Sequence, residues 1–374
     1  MSTRARPRLR GPRRNRRVIA LTVAATLAGL GLLAAAVGSS GLYNVAASTG
    51  HWRIVDVILR FSMERSVKAR APAAAPIRLD DEAMVRLGAS HFELGCAQCH
   101  GSPARPVSPV SLGMLPPPPD LAERVGAWSD GELFWIVRHG IKYAGMPAWP
   151  AQRRDDEVWT MVAFLRRLPS LDAATYRRLA HGLGATLRLD EPPRAQAGAF
   201  ARCAACHGAG ERPDSSLVPV LQGQDPARLA AALTRYRSGE RASGIMQRAV
   251  FDLSVETLRT LAEAYAAMPV PQGAPPPDAD RDLARRGEVL ARQGDPGRGV
   301  PACLGCHAAG GLAVYPRLDG QPARFLVAQI EAFRSGANEH GPGAVMTFVA
   351  RRMSAEDIAA AAAYFAARPH GAAP

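Results

Sequence analysis

The chain has no cysteine outside three CxxC pairs, no acid among its first seventeen residues, and no alternating apolar–polar run that reads as a strand. Each absence excludes something. Six cysteines gathered into pairs, with a histidine directly after each pair, are not the scattered set that a disulfide framework uses. The missing acid explains the charge balance. Arg4, Arg6, Arg8, Arg10, Arg13, Arg14, Arg16 and Arg17 account for eight of the net charge of +13, leaving +5 elsewhere, so the basic excess is a tail and not a surface for nucleic acid. The missing strands leave an all-α expectation. A length of 374 residues, 47% of them hydrophobic, gives room for two or three domains with globular cores.

What is present begins at residues 18–37, an uncharged apolar run about as long as a helix needs to cross a bilayer core. By the positive-inside rule, residues 1–17 form a cytoplasmic tail, 18–37 a transmembrane anchor, and everything from Gly38 lies on the periplasmic side of a bacterial inner membrane. A cleavable signal peptide is the competing reading, since Ala34-Ala35-Ala36 offers a small-residue site. The run is longer than the roughly 7–15 residues of an h-region, and either reading exports the remainder. Residues 38–80 form a juxtamembrane segment and linker. There Trp52, Val55, Ile58, Leu59 and Val67 lie among Arg53, Arg60, Arg65, Lys68 and Arg70 at helical spacing, which fits an interfacial helix or one packed on the next domain.

The three pairs are Cys96 and Cys99 with His100, Cys203 and Cys206 with His207, and Cys303 and Cys306 with His307. Cys203 and Cys303 stand 100 residues apart, a domain-sized period. Pro219-Val220-Leu221-Gln222-Gly223-Gln224 parallels Pro316-Arg317-Leu318-Asp319-Gly320-Gln321, and Tyr236-Arg237-Ser238-Gly239 parallels Phe333-Arg334-Ser335-Gly336. Pro192-Pro193 and the five prolines of residues 269–277 read as linkers. Three domains are therefore expected, at 81–172, 190–270 and 278–370. Each should hold a short helix into CxxCH, an irregular stretch and a closing helix, at 156–167, 254–267 and 355–367.

Two cysteines three apart on one turn can each form a thioether to a haem vinyl group, and the adjacent histidine then meets the iron. Structural zinc would want a second pair of soft ligands in each unit, which the sequence lacks. Three covalent haems c are expected, and their propionates bring about −6, close to cancelling the remaining +5. A methionine is the usual ligand on the opposite face of a carrier haem. Met246 and Met346 each follow their histidine by 39 residues, and Met146, Met246 and Met346 each precede a proline, Pro169, Pro269 and Pro369, by 23. Met114 is too near His100 to round the ring, and Met353 aligns with Leu253 as a core position. His139 and His340 remain alternative ligands in the first and third units.

With these features in place, each unit resembles a class I cytochrome c domain, over about residues 81–370. Units two and three are similar to the tandem dihaem periplasmic cytochromes c, through Arg-Ser-Gly and the runs from Met246 to Ser254 and Met346 to Ser354. Unit one resembles a single-domain type, with Trp135-Ile136-Val137-Arg138-His139-Gly140-Ile141-Lys142 leading into Gly145-Met146-Pro147-Ala148-Trp149. Gly41-Leu42-Tyr43-Asn44-Val45-Ala46-Ala47-Ser48 with Gly50-His51-Trp52 resembles membrane-anchored cytochromes c that accompany haem-copper oxidases. Unit three departs from its sibling by the insertion 294–300.

The resemblance implies an electron carrier and not an enzyme. It would relay single electrons from a quinol-oxidising complex or soluble cytochrome to a haem-copper terminal oxidase. The alternative is the electron-accepting subunit of a periplasmic, quinoprotein-type dehydrogenase. A dihaem-peroxidase-like enzyme would need one iron without its methionine, which the sequence weighs against. Trp128, Trp135, Trp149 and Trp159, four of the five tryptophans, lie in unit one as a docking face or as packing of the haem pocket.

Overall fold

The computed structural model describes residues 12–182, 197–271, 281–308, 314–338 and 343–369. Arg4, Arg6, Arg8, Arg10, Pro192, Pro193, His340 and most of the 269–277 linker lie outside them. Among the described residues the chain is helical and without strands, with isolated bridges between Ser102 and Arg105, Ile141 and Met146, and Asp295 and Val300. The all-α expectation holds.

Residues 1–59 and 60–374 form two compact units. In the first, the helix Pro12–Ser39 runs 28 residues. Its part Asn15–Ser39 is, among the described residues, the one helix long and apolar enough to cross a membrane. A helix suits that setting because all its backbone groups pair internally. Beyond it, the Tyr43 hydroxyl lies 2.7 Å from His51 Nδ1, and the Trp52 ring meets Tyr43 edge-on at 5.0 Å. The helix expected in 38–80 forms as Arg53–Arg70. Ile54, Val57, Ile58 and Phe61 on it are all exposed, whereas Val67 is buried.

In the second unit the helices that approach the cysteines meet the closing helices. Glu82–Gly95, capped by Asp81 on the Ala83 and Met84 amides, packs on Asp155–Arg167. Gly88 permits the contact, because a Cβ there would stand 2.6 Å from both Phe164 Cβ and the Thr160 carbonyl. Phe92, Phe164 and Tyr176 fill the space beside it, with ring centroids 5.1 Å and 6.2 Å apart along the series. Arg281–Gln293 lies on Ala355–Ala367 in the same way, with Gly287 against the Ala360 carbonyl. In the middle segment Phe200 of Ala197–His207 stacks on Tyr265 of Val255–Ala267 at 5.2 Å. The closing helices start within a residue of expectation. Ser254 caps one through the Thr257 amide, and Ser354 with Asp357 forms a capping box on another.

The insertion 294–300 is a closed turn. Asp295 and Val300 exchange backbone hydrogen bonds, and Arg298 reaches from it to Asp357 of the closing helix at 2.5 Å.

Candidate functional site

Each CxxCH occupies one helical turn, which is what brings its three side chains together. Cys203, Cys206 and His207 end the helix Ala197–His207, whereas Ala97–His100 and Leu304–His307 are single turns preceded by Cys96 and Cys303. The three histidines share one partner type. His100 Nδ1 lies 3.1 Å from the Pro119 carbonyl, His207 Nδ1 3.1 Å from that of Pro219, and His307 Nδ1 2.8 Å from that of Pro316. A carbonyl only accepts, so Nδ1 carries the proton and Nε2 presents its lone pair. That is the tautomer a metal-ligating imidazole needs, with its second nitrogen orienting the ring. Burial lowers all three histidines from their ordinary value, which favours the neutral form.

Burial keeps four of the six thiols protonated. Burial pushes Cys96 and Cys203 up to about 12 and Cys206 and Cys303 up to about 11. A thioether sulfur carries no charge into that buried setting. Among the described residues no group of three or more His, Cys, Asp or Glu converges as a metal-ion site would require. The donor chemistry therefore suits c-type haem.

The second and third sites open on one cavity of about 1370 Å³, lined by Cys203, Cys206, His207 and Met246 and by Cys303, Cys306, His307 and Met346. A single small-molecule pocket holds roughly 300–1,000 Å³. Two glutamines join the sites reciprocally. Gln321 accepts from the Val220 amide at 3.1 Å and donates to the Val220 carbonyl at 2.8 Å, and Gln224 does the same to Arg317 at 3.1 Å and 2.8 Å. Val220 and Arg317 directly follow the prolines that hold His207 and His307. The repeat Gly-Gln was visible in the sequence as a mark of kinship, and its role as a cross-link needed the third dimension.

Met246 lies on the helix Gly244–Val250, whose cap Ser243 accepts the Met246 amide at 3.1 Å, and Met346 on Gly343–Ala350. Met146 is half-buried in the loop between Gly140 and Pro147, where its carbonyl accepts the Ile141 amide at 3.1 Å. Met114 comes to the same loop, since a Cβ on Gly145 would stand 2.5 Å from the Met114 methyl. That proximity was invisible in sequence spacing. Met353 is buried in an apolar cluster with Val349 and Ile358. His139 is exposed and leans on Trp135 at 5.1 Å. Trp149 and Trp159 are core residues of the first segment, and Trp128 packs against that core.

Sequence reading also missed a buried polar group in the first segment. Glu157 accepts hydrogen bonds from Trp149 Nε1, Ser243 Oγ and the Gly244 amide and pairs with Arg154 at 3.1 Å. Burial pushes its carboxyl upward, and Arg154 and the Ser243 and Gly244 donors pull it back. A Glu three residues after an Arg reads as an ordinary surface helical pair.

Residues 83–165 match the family described as cytochrome C oxidase, cbb3-type, subunit III. The chain is 37% identical over 185 residues to cytochrome c4 of Thiocapsa roseopersicina, covering 47% of this chain and 92% of that protein. It is 36% identical over 182 residues to the thiosulfate dehydrogenase electron acceptor of Thiomonas intermedia, covering 48% and 81%. With cytochrome c4 of Pseudomonas aeruginosa the identity is 32% over 167 residues, covering 43% and 81%. Identity at this level along nearly the whole of cytochrome c4, together with histidine and cysteine chemistry suited to haem, places this chain among the c-type cytochromes, the haem proteins of electron transfer.

Proposed function

We propose that this chain is a membrane-anchored periplasmic cytochrome with three haems c, relaying single electrons to a haem-copper terminal oxidase from a quinol-oxidising complex or soluble cytochrome. The observation that carries the relay is the arrangement common to three sites, a histidine tied through Nδ1 to a proline carbonyl beside two cysteines. Cys96 and Cys99 with His100 and Met146 would hold the first haem, within 81–172. Cys203 and Cys206 with His207 and Met246 would hold the second, within 190–270, and Cys303 and Cys306 with His307 and Met346 the third, within 278–370. Haem held in this way would supply a one-electron ferric–ferrous couple. The proline carbonyls set the histidine tautomer, and Gln224 and Gln321 fix the second site against the third. Residues 1–17 would stay in the cytoplasm, with the helix Pro12–Ser39 as the anchor.

The oxidase as acceptor is supported by the description of the family that residues 83–165 match. A specific observation favours a second reading, the acceptor subunit of a periplasmic dehydrogenase, namely the 36% identity to a thiosulfate dehydrogenase electron acceptor. Copurification from solubilised membranes separates the two. A copper-containing oxidase on the tagged chain supports the first, and a dehydrogenase in its place overturns it. For the ligands, the test is a spectroscopic redox titration with Met146, Met246 and Met346 replaced in turn. Each substitution should abolish one methionine–iron signature, and an untouched spectrum would remove that residue from the set.

A further inference from the structure

We infer that Glu157, on the closing helix of the first segment, is the positioning residue for the methionine of the second site; this rests on Met246 being a haem ligand. Glu157 is 4% exposed. One carboxylate oxygen accepts the Ser243 hydroxyl at 2.5 Å, and the other accepts the Gly244 amide at 2.7 Å and Trp149 Nε1 at 3.2 Å. Ser243 Oγ in turn accepts the Met246 amide at 3.1 Å. Arg154 pairs with Glu157 and donates to the Ala242 carbonyl at 3.0 Å, so the same ion pair holds the residue before the cap. Gly244 packs against the Trp149 indole, where a Cβ would collide with the ring.

The start of the Met246 helix is therefore held from outside its own segment, by Glu157, which lies 86 and 87 positions before Ser243 and Gly244. Met146, by contrast, sits in a turn that Ile141 closes locally. A methionine stays on iron only if its helix presents the sulfur without strain, and charge-assisted hydrogen bonds in a dry site are the stronger kind. Loosening Glu157 should free Met246 while leaving Met146 and Met346 in place. The first segment thereby sets how firmly the second haem is ligated.

The test is titration of the oxidised full-length protein with imidazole, which competes with the methionine at each site. Glu157→Gln keeps the shape and loses the charge. It should raise imidazole affinity at one site about tenfold, equivalent to ~1.4 kcal/mol. Ser243→Ala removes the bridging hydroxyl, leaves the Arg154 pair intact and should act in the same direction. In a Met246→Ala background, Glu157→Gln should add nothing, because the two then act on one ligand. Unchanged affinity in both variants, or an equal rise at all three sites, overturns the inference while the ligand set stands. If Met246→Ala itself leaves the spectrum and the titration unaltered, the ligand reading fails and the inference falls with it.

Discussion

At the scale of single residues, the side chains that touch the sites divide by how far apart their partners lie in the chain. Cys-x-x-Cys-His is contiguous, so its chemistry was legible from spacing alone. The methionines were legible as candidates because the chain repeats itself and supplies its own ruler. Gln224, Gln321 and Glu157 were not, since their partners lie more than 80 residues away and only packing brings them near. Gln321 is 2% exposed and satisfies both backbone groups of a buried Val220. Gln321→Ala strands that amide and carbonyl, and should destabilise the pairing of second and third segments by about 2–3 kcal/mol. The midpoint of denaturant unfolding, followed by haem absorption, measures it. Asp357 gives a pH dependence. Hydrogen bonds from Arg298 hold its carboxyl down to about 2, below the ordinary 3.8. A carboxyl depressed on folding stabilises above its unfolded value and loses that contribution as pH falls through the folded one. The clamp between the 294–300 turn and the closing helix should hold above about pH 4 and loosen between about 4 and 2. Acid melting of Asp357→Asn should lack that component.

At the scale of elements, the closing helices were readable because their caps and apolar faces are local. Ser254 and Ser354 lie at the junctions, each with a side chain that accepts the amide three residues on. The helices entering the first and third CxxCH were also expected, but their glycine contacts were not, because Gly88 and Gly287 look like helix weaknesses until the crossing helix is placed over them. The loop that carries Met146 depends on Gly140, whose φ of 62° and ψ of −172° belong to a region open to glycine. A Cβ there would also enter the Met146 and Pro147 backbone. Gly140→Ala should cost at least about 2 kcal/mol and release Met146 first. Loss of one methionine–iron band at temperatures where the other two persist is the expected outcome, and three bands melting together would contradict it.

At the scale of the whole molecule, the relay depends on how many irons the chain carries and whether each is closed to other ligands. The second and third sites share a cavity and a reciprocal pair of glutamines, so their relative placement is fixed. The first segment touches the second through Glu157 and Arg154 and the third through Arg153, which donates to the Gly336 carbonyl at 2.9 Å. None of these contacts was legible in the sequence, because interfaces between repeats are built from scattered polar residues that read individually as surface. The most direct measurement of the central claim is coulometric reduction of the purified full-length protein, with haem absorption recorded at each step. Three electrons per chain, each with a low-spin spectrum before and after, are the expected result. Two electrons or fewer, or a high-spin component in the oxidised protein, would contradict a relay of three six-coordinate haems.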